Sequence, residues 1–179
     1  VSAKVTGKVR EVLIEEGMQV EDGQVLATLD STQADAQLAL SQAQLDSARS
    51  QLTEIEANLR QAQADLKRQQ EIYDRKLGTA AQLDAARAAA ESLSARLASQ
   101  RRQIKVAEEG LAMSRVSVDD TVIRAPFAGV IIAKAAQPGE MISPISAGGG
   151  FTRTGIGTIV DMDSLEVEDD VNEAFIGRV

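Results

Sequence analysis

The chain has 179 residues, room for one compact domain or two small ones, and its formal charge of −8 argues against a nucleic-acid partner, because nothing would replace a phosphate backbone's counterions. Cys and His are both absent, which excludes thiol nucleophiles, Ser-His-Asp triads and zinc sites built on those ligands, leaving carboxylate catalysis or a calcium site formally open. Hydrophobic residues make up 44% but aromatics only 2%, so the apolar share is mostly Ala, Leu, Val and Ile, and something thin is expected rather than a thick core.

The chain opens with Val/Ile runs punctuated by Gly, the texture of strands and turns. Its first copy of a repeat runs from Gly7 through Val9, Val12 and Ile14 to Gly17 and Val20. No Gly or Pro then occurs between Gly23 and Gly78, a stretch dense in Ala, Gln, Leu and Glu, all good helix formers. Leu38, Leu45, Leu52, Leu59, Leu66 and Tyr73 recur at heptad spacing, with Ser41, Ala48, Ile55, Ala62 and Gln69 three residues after the first five. That is an a/d seam sustained over five heptads. Asp30, with Gln33 three residues on, is the expected cap of this helix, roughly residues 31–77 and about 70 Å long. Arg75 and Lys76 are expected in its last turn, with Gly78 as the left-handed stop.

Thr79 and Gln82 form a capping box for a second helix, roughly 80–117. Its seam runs Leu83, Ala86, Ala90, Leu93, Leu97, Gln100, Ile104, Ala107, Leu111, Ser114 and Val118. With one or two residues between them, the helices must fold back as an antiparallel pair. Strand texture then returns. Gly129, Val130, Ile131, Ala136, Gly139 and Ile142 repeat the first copy, each glycine pair standing ten residues apart. Two similar β units around a helical hairpin suggest half-motifs that close into one small sandwich. Residues 148–179 read as a third section, with Gly148-Gly149-Gly150, the strand-like runs Ile156–Val160 and Leu165–Val171, and an acidic end. Asp161, Asp163, Glu166, Glu168, Asp169 and Asp170 lack the spaced ligands of a calcium loop and read as a solvated strand face.

Gly7-x-Val9, Glu16-Gly17-Met18-x-Val20 and Gly23-Gln-Val-Leu26 resemble the first half of a biotinyl/lipoyl carrier domain, and Ile123-Arg-Ala-Pro126-Phe-Ala-Gly129 resembles the start of the second. Where carriers have a tight hairpin bearing the modified Lys, this sequence has Leu29-Asp30 leading into the helices, with no Met-Lys-Met tip. A lipoyl domain split in this way resembles the periplasmic adaptor (membrane fusion protein) family of HlyD and MacA type. The resemblance implies an α+β fold: a split biotinyl/lipoyl-like β sandwich interrupted by a long antiparallel coiled-coil hairpin and followed by the start of a β-barrel domain. The expected divisions are 1–30 and 119–160 for the two lipoyl-like halves, 31–118 for the hairpin and 161–179 for the beginning of the barrel.

The function so implied is that of a periplasmic adaptor subunit of a tripartite efflux or secretion system, not an enzyme, with no cofactor and no metal. Its partners would be an inner-membrane transporter, a TolC-like outer-membrane channel and further copies of itself in a hexamer. The Gly148–Thr158 loop and the run from Ile159 to Leu165 resemble adaptors of ABC-type pumps more than those of proton-driven ones. The family's tip motif is Arg, Leu four residues on and Ser seven further; Arg68, Ile72 and Thr79 hold that spacing here, two of them as conservative departures. They are the expected channel-docking residues. Near Asp65 and Glu71, Arg68 also reads as a solvated helix charge. Gln137, in the turn before Pro138, matches the loop glutamine that narrows the channel in MacA-like adaptors, and also reads as a surface turn residue. The expected location is the periplasm of a Gram-negative bacterium, with an inner-membrane anchor outside this chain: no apolar run approaches the ~18 residues of a spanning helix, and the first residues do not resemble a signal peptide. Two other readings compete. A biotin/lipoyl carrier subunit needs a Lys at a β tip, a setting that Lys4, Lys8 and Lys134 lack. A purely structural coiled-coil tether would favour an extended assembly over a hairpin.

Overall fold

The computed structural model describes residues 1–144, 152–153 and 155–162. They form two compact units, one from Val1–Asp30 together with the residues from Asp120 onward, the other from Ser31–Asp119.

The first unit is built of strands β1 (Gly7–Val12), β2 (Gln19–Val20), β3 (Val25–Leu29), β4 (Val122–Arg124), β5 (Gly129–Lys134), β6 (Met141–Ile142), β7 (Thr152–Arg153) and β8 (Gly157–Val160). One sheet has the order β4-β3-β1-β6-β7 and the other β2-β5-β8. The sequence repeat becomes a structural one. Gly7 of β1 pairs with Ile142 of β6, and Gly129 of β5 pairs with Val20 of β2. The Gly17 N–H donates to the Ile131 carbonyl at 2.7 Å, and the Gly139 N–H donates to that of Val9 at 2.8 Å. β1 pairs with β3, and β5 with β8, each with a register break after its third residue, at Val9/Glu11 and Ile131/Ala133.

Each half therefore completes the other, which is why the two ends of the chain make one body. The strand-like run 156–160 belongs to this sandwich, where β8 does for β5 what β3 does for β1. Tight turns at Glu15–Met18, Glu21–Gln24 and Gln137–Glu140 each close on a backbone hydrogen bond of 3.1–3.2 Å. Their third residues, Gly17, Gly23 and Gly139, take φ of 86°, 76° and 92°, the left-handed region that glycine enters without a steric penalty.

The core is thin, as the composition predicts. Among the described residues Val9, Ile14, Leu26, Ile131, Ile142 and Ile156 are its largest fully buried side chains, and none of them is aromatic. Tyr73 and Phe127, the aromatic residues whose surroundings are described, are both exposed.

The second unit is an antiparallel pair, α1 (Thr32–Asp74) and α2 (Ala80–Asp119), of 43 and 40 residues. Every predicted seam position is buried or half-buried except Tyr73 at the far end. Besides the half-buried Gln69, buried polar residues enter the seam at two levels. Ser41 and Ser114 share a hydrogen bond, and Gln100 Nε2 donates to the Ala48 carbonyl at 2.9 Å and to Gln51 Oε1 at 3.3 Å. Arg49 pairs with Glu108 at 3.0 Å and Arg101 with Glu56 at 3.5 Å, along one flank of the seam.

The helix ends differ from expectation in three ways. Ser31, not Asp30, holds the N-cap position of α1, and its hydroxyl donates to Asp35 Oδ2 at 2.7 Å rather than capping a backbone N–H. The helix stops at Asp74, before Arg75 and Lys76, so residues 75–79 form the connection rather than one or two residues. The left-handed residue is Lys76, at φ 59°, and not Gly78.

The Gly148-Gly149-Gly150 stretch and the acidic residues from Asp163 to Asp170 lie outside the described residues, as does nearly all of the expected barrel segment 161–179. Among the described residues no helix is long and apolar enough to cross a membrane.

Candidate functional site

The end of the helical unit is a turn closed by backbone hydrogen bonds. Leu77 N–H donates to the Ile72 carbonyl at 3.0 Å and Lys76 N–H to that of Tyr73 at 2.8 Å. This is a Schellman arrangement, with Lys76 in the left-handed place that glycine usually takes. α2 then starts on the predicted capping box: Gln82 N–H donates to Thr79 Oγ1 at 3.3 Å, and Thr79 N–H donates to Gln82 Oε1 at 3.1 Å.

The three expected docking residues sit at this end in different states. Thr79 is the cap, its hydroxyl held by Gln82. Ile72 is half-buried, and its Cγ2 lies 3.0 Å from where a Cβ on Gly78 would be; glycine there lets the returning chain pass close over the isoleucine. Arg68, one turn back on α1, donates to Asp65 Oδ1 at 2.8 Å with its side chain 66% exposed, so the solvated intrahelical pair and the candidate docking cation are one and the same group. The spacing motif passed over Leu77, which is 79% exposed on the turn. An apolar residue caught between the end of one seam and a capping box, too short a segment to bury it, was the signal.

Gln137 begins the turn closed by the Glu140 N–H to Gln137 carbonyl bond, and its own N–H donates to Glu140 Oε2 at 3.0 Å. Its side chain is exposed on the rim of an open groove of about 480 Å³, shared with Glu15, Glu16 and Lys134. Among the described residues no group of His, Cys, Asp and Glu is placed to hold a metal ion.

The two flanks of the coiled coil differ in chemistry. The ion-paired flank carries Arg49, Glu56, Arg101 and Glu108, each four residues beyond a seam leucine or isoleucine. Two residues beyond such positions, on the opposite flank, stand Leu40, Val106 and Met113, exposed by 51%, 73% and 74%.

The family description of a CzcB-like, barrel-sandwich hybrid domain matches residues 1–147. MacA from Actinobacillus actinomycetemcomitans superposes on 100% of this chain with a TM-score of 0.88 at 24% identity, and 54% of that chain is covered. The periplasmic adaptor protein EmrA gives 0.54 at 16% identity, over 89% of this chain and 71% of EmrA. The membrane fusion protein Spr0693 from Streptococcus pneumoniae R6 gives 0.56 at 17%, over 76% of this chain and 55% of Spr0693. The chain thus spans about half the length of MacA and of Spr0693. No curated protein matches it significantly at the level of sequence. With the family match running through both halves of the sandwich and the hairpin between them, the chain belongs to the CzcB-like barrel-sandwich hybrid domain family and has the fold of the MacA-type membrane fusion proteins.

Proposed function

We propose that the protein is the periplasmic adaptor subunit of a tripartite efflux or secretion system. In this reading it links an inner-membrane transporter of the ABC class to a TolC-like outer-membrane channel and catalyses no reaction. The observation that carries the proposal is the insertion itself. Where a carrier domain would turn tightly, the chain leaves β3 and returns at β4 through a paired coiled coil of 43 and 40 residues ending in a fixed turn. A rod with a shaped end suits mechanical contact at a distance. None of the three tight β turns contains a lysine, the residue that a carrier reading needs at a β tip, which favours the adaptor reading.

Arg68, Ile72 and Thr79 are the docking residues in this reading, with Ile72 packing against a helical hairpin of the channel and Arg68 bonding a carbonyl or carboxylate there. The Leu40, Val106 and Met113 flank, free of the ion pairs that mark the other side, supports association of hairpins with one another, as in a hexamer. Gln137 would face the conduit formed by the sandwich domains.

The test is export by cells carrying Arg68→Asp or Ile72→Asp, read beside circular dichroism of the purified variants. Loss of export with helicity and melting retained is expected. Normal export by Arg68→Asp would reduce the tip to a turn and remove the channel-docking assignment.

A further inference from the structure

Leu77 is the most exposed large hydrophobic side chain among the described residues. It follows the left-handed Lys76 in the Schellman turn, a place from which an apolar residue ordinarily folds back onto the last turn of its helix. The residue it would cover is Ile72. Here Gly78 lies over Ile72 instead, and Leu77 stays in solvent.

The turn that displays Leu77 is fixed on both sides. Its own N–H is bonded to Ile72, and the Thr79–Gln82 capping box starts two residues later. An exposed leucine on so constrained a backbone loses little conformational freedom when it is buried by a partner.

Its neighbours set the charge. Arg75 and Lys76 are exposed, and among the described residues neither side chain makes an ion pair. Of the nearby charges, Arg68 is paired with Asp65 and Arg87 with Asp84 at 4.0 Å, Asp74 accepts from the neutral Gln70 amide at 2.9 Å, and Glu71, one turn before Arg75, is exposed and, among the described residues, in no ion pair. Two uncommitted cations therefore collar an apolar knob, on a chain whose net charge is −8.

We infer that Leu77, collared by Arg75 and Lys76, is an anchor that selects the channel partner by inserting into an apolar pocket rimmed with acidic side chains. The inference rests on the adaptor reading and deepens it. The apolar contact supplies the hold, and the collar supplies steering and discrimination between channels of different rim charge.

The experiment measures binding of the full-length adaptor in detergent to the purified outer-membrane channel of the same organism, at low and at high salt. Leu77→Ser weakens binding by about tenfold or more with dichroism and melting unchanged, and Leu77→Met retains most of it. Arg75→Glu combined with Lys76→Glu also weakens binding and flattens its salt dependence. If Leu77→Ser binds within about twofold of wild type while Arg68→Asp loses binding, the anchor is wrong and the adaptor reading stands. If the wild-type protein does not bind the channel, both fall.

Discussion

Ser41 and Ser114 meet through a 2.8 Å hydrogen bond between their hydroxyls, buried inside the helical seam although 73 residues separate them. Ser114 also donates to the Gly110 carbonyl at 3.1 Å, so the pair is tied into α2. A bond between two short side chains holds only if the helices are neither slid nor rotated from this alignment. The first expectation follows from that closeness: Ser41→Cys with Ser114→Cys, in a chain that has no cysteine of its own, closes a disulfide in air. The cross-link should stabilise the helical unit by about 3 kcal/mol. Thiol titration and thermal melting check it, and persistent free thiols would place the helices in another register.

Gln100 is the second polar layer, 6% exposed and bonded across the seam to Ala48 and Gln51. A buried polar residue at a seam position fixes alignment at a cost in stability. Gln100→Leu is expected to raise the melting temperature, by about 1 kcal/mol of added stability, and to broaden the distance distribution between spin labels at Gln63 and Ser92. A single narrow distance in the variant would mean that Gln100 has no part in register.

Two glycines should respond to alanine in opposite directions. A Cβ on Gly129 would lie 2.5 Å from the Val160 carbonyl oxygen and 2.8 Å from Ile159 Cγ2, so Gly129→Ala forces β5 and β8 apart. A loss of about 2 kcal/mol or more is expected. Gly110 sits within α2 with nothing within 4 Å of its Cβ position, so Gly110→Ala adds helix propensity and should gain about 1 kcal/mol. Chemical denaturation of the two variants side by side decides the matter.

At the turn, Lys76 holds a left-handed φ of 59° that costs a non-glycine residue about 1 kcal/mol. Lys76→Gly should recover roughly that amount, whereas Gly78→Ala should lower stability by pressing a methyl against Ile72. If Lys76→Gly melts lower than wild type, the strain is not there.

The seams were readable because burial along a coiled coil admits few residue types, and the 3–4 spacing of Leu, Ala and Ile survives in the sequence from Leu38 to Val118. The Thr79–Gln82 box was readable for a related reason, since it satisfies two backbone donors with two side chains three residues apart. The far end of α1 was not. Its stop is set by backbone hydrogen bonds to Ile72 and Tyr73, which carry no side-chain signature, and the left-handed place fell to a lysine. The start of α1 misled in another way: Asp30 is a good cap by type, but its N–H is bonded to the Lys8 carbonyl at 2.9 Å as the end of a strand pairing, and Ser31 took the cap position. β8 was readable as a strand but not as a member of the second sheet, because its partner β5 lies across the Gly148–Gly150 stretch and its role shows only when the halves are compared. Arg68, Ile72 and Thr79 come from the resemblance to the family's tip motif, which has no place for the exposed Leu77.

The strand pairing at the root of the insertion has one further consequence. Leu29 N–H donates to the Thr121 carbonyl at 2.8 Å, and Thr28 stands opposite Val122, so the sandwich is zipped shut directly at the point where the helices depart. From the sandwich's side, everything between Asp30 and Asp120 is a loop whose two ends are already joined. Adding or deleting one heptad in each helix changes the rod by about 10 Å and leaves every β contact as it was. The helical unit thus has a length graduated in heptads, adjustable by insertion or deletion without refitting the strands at its root.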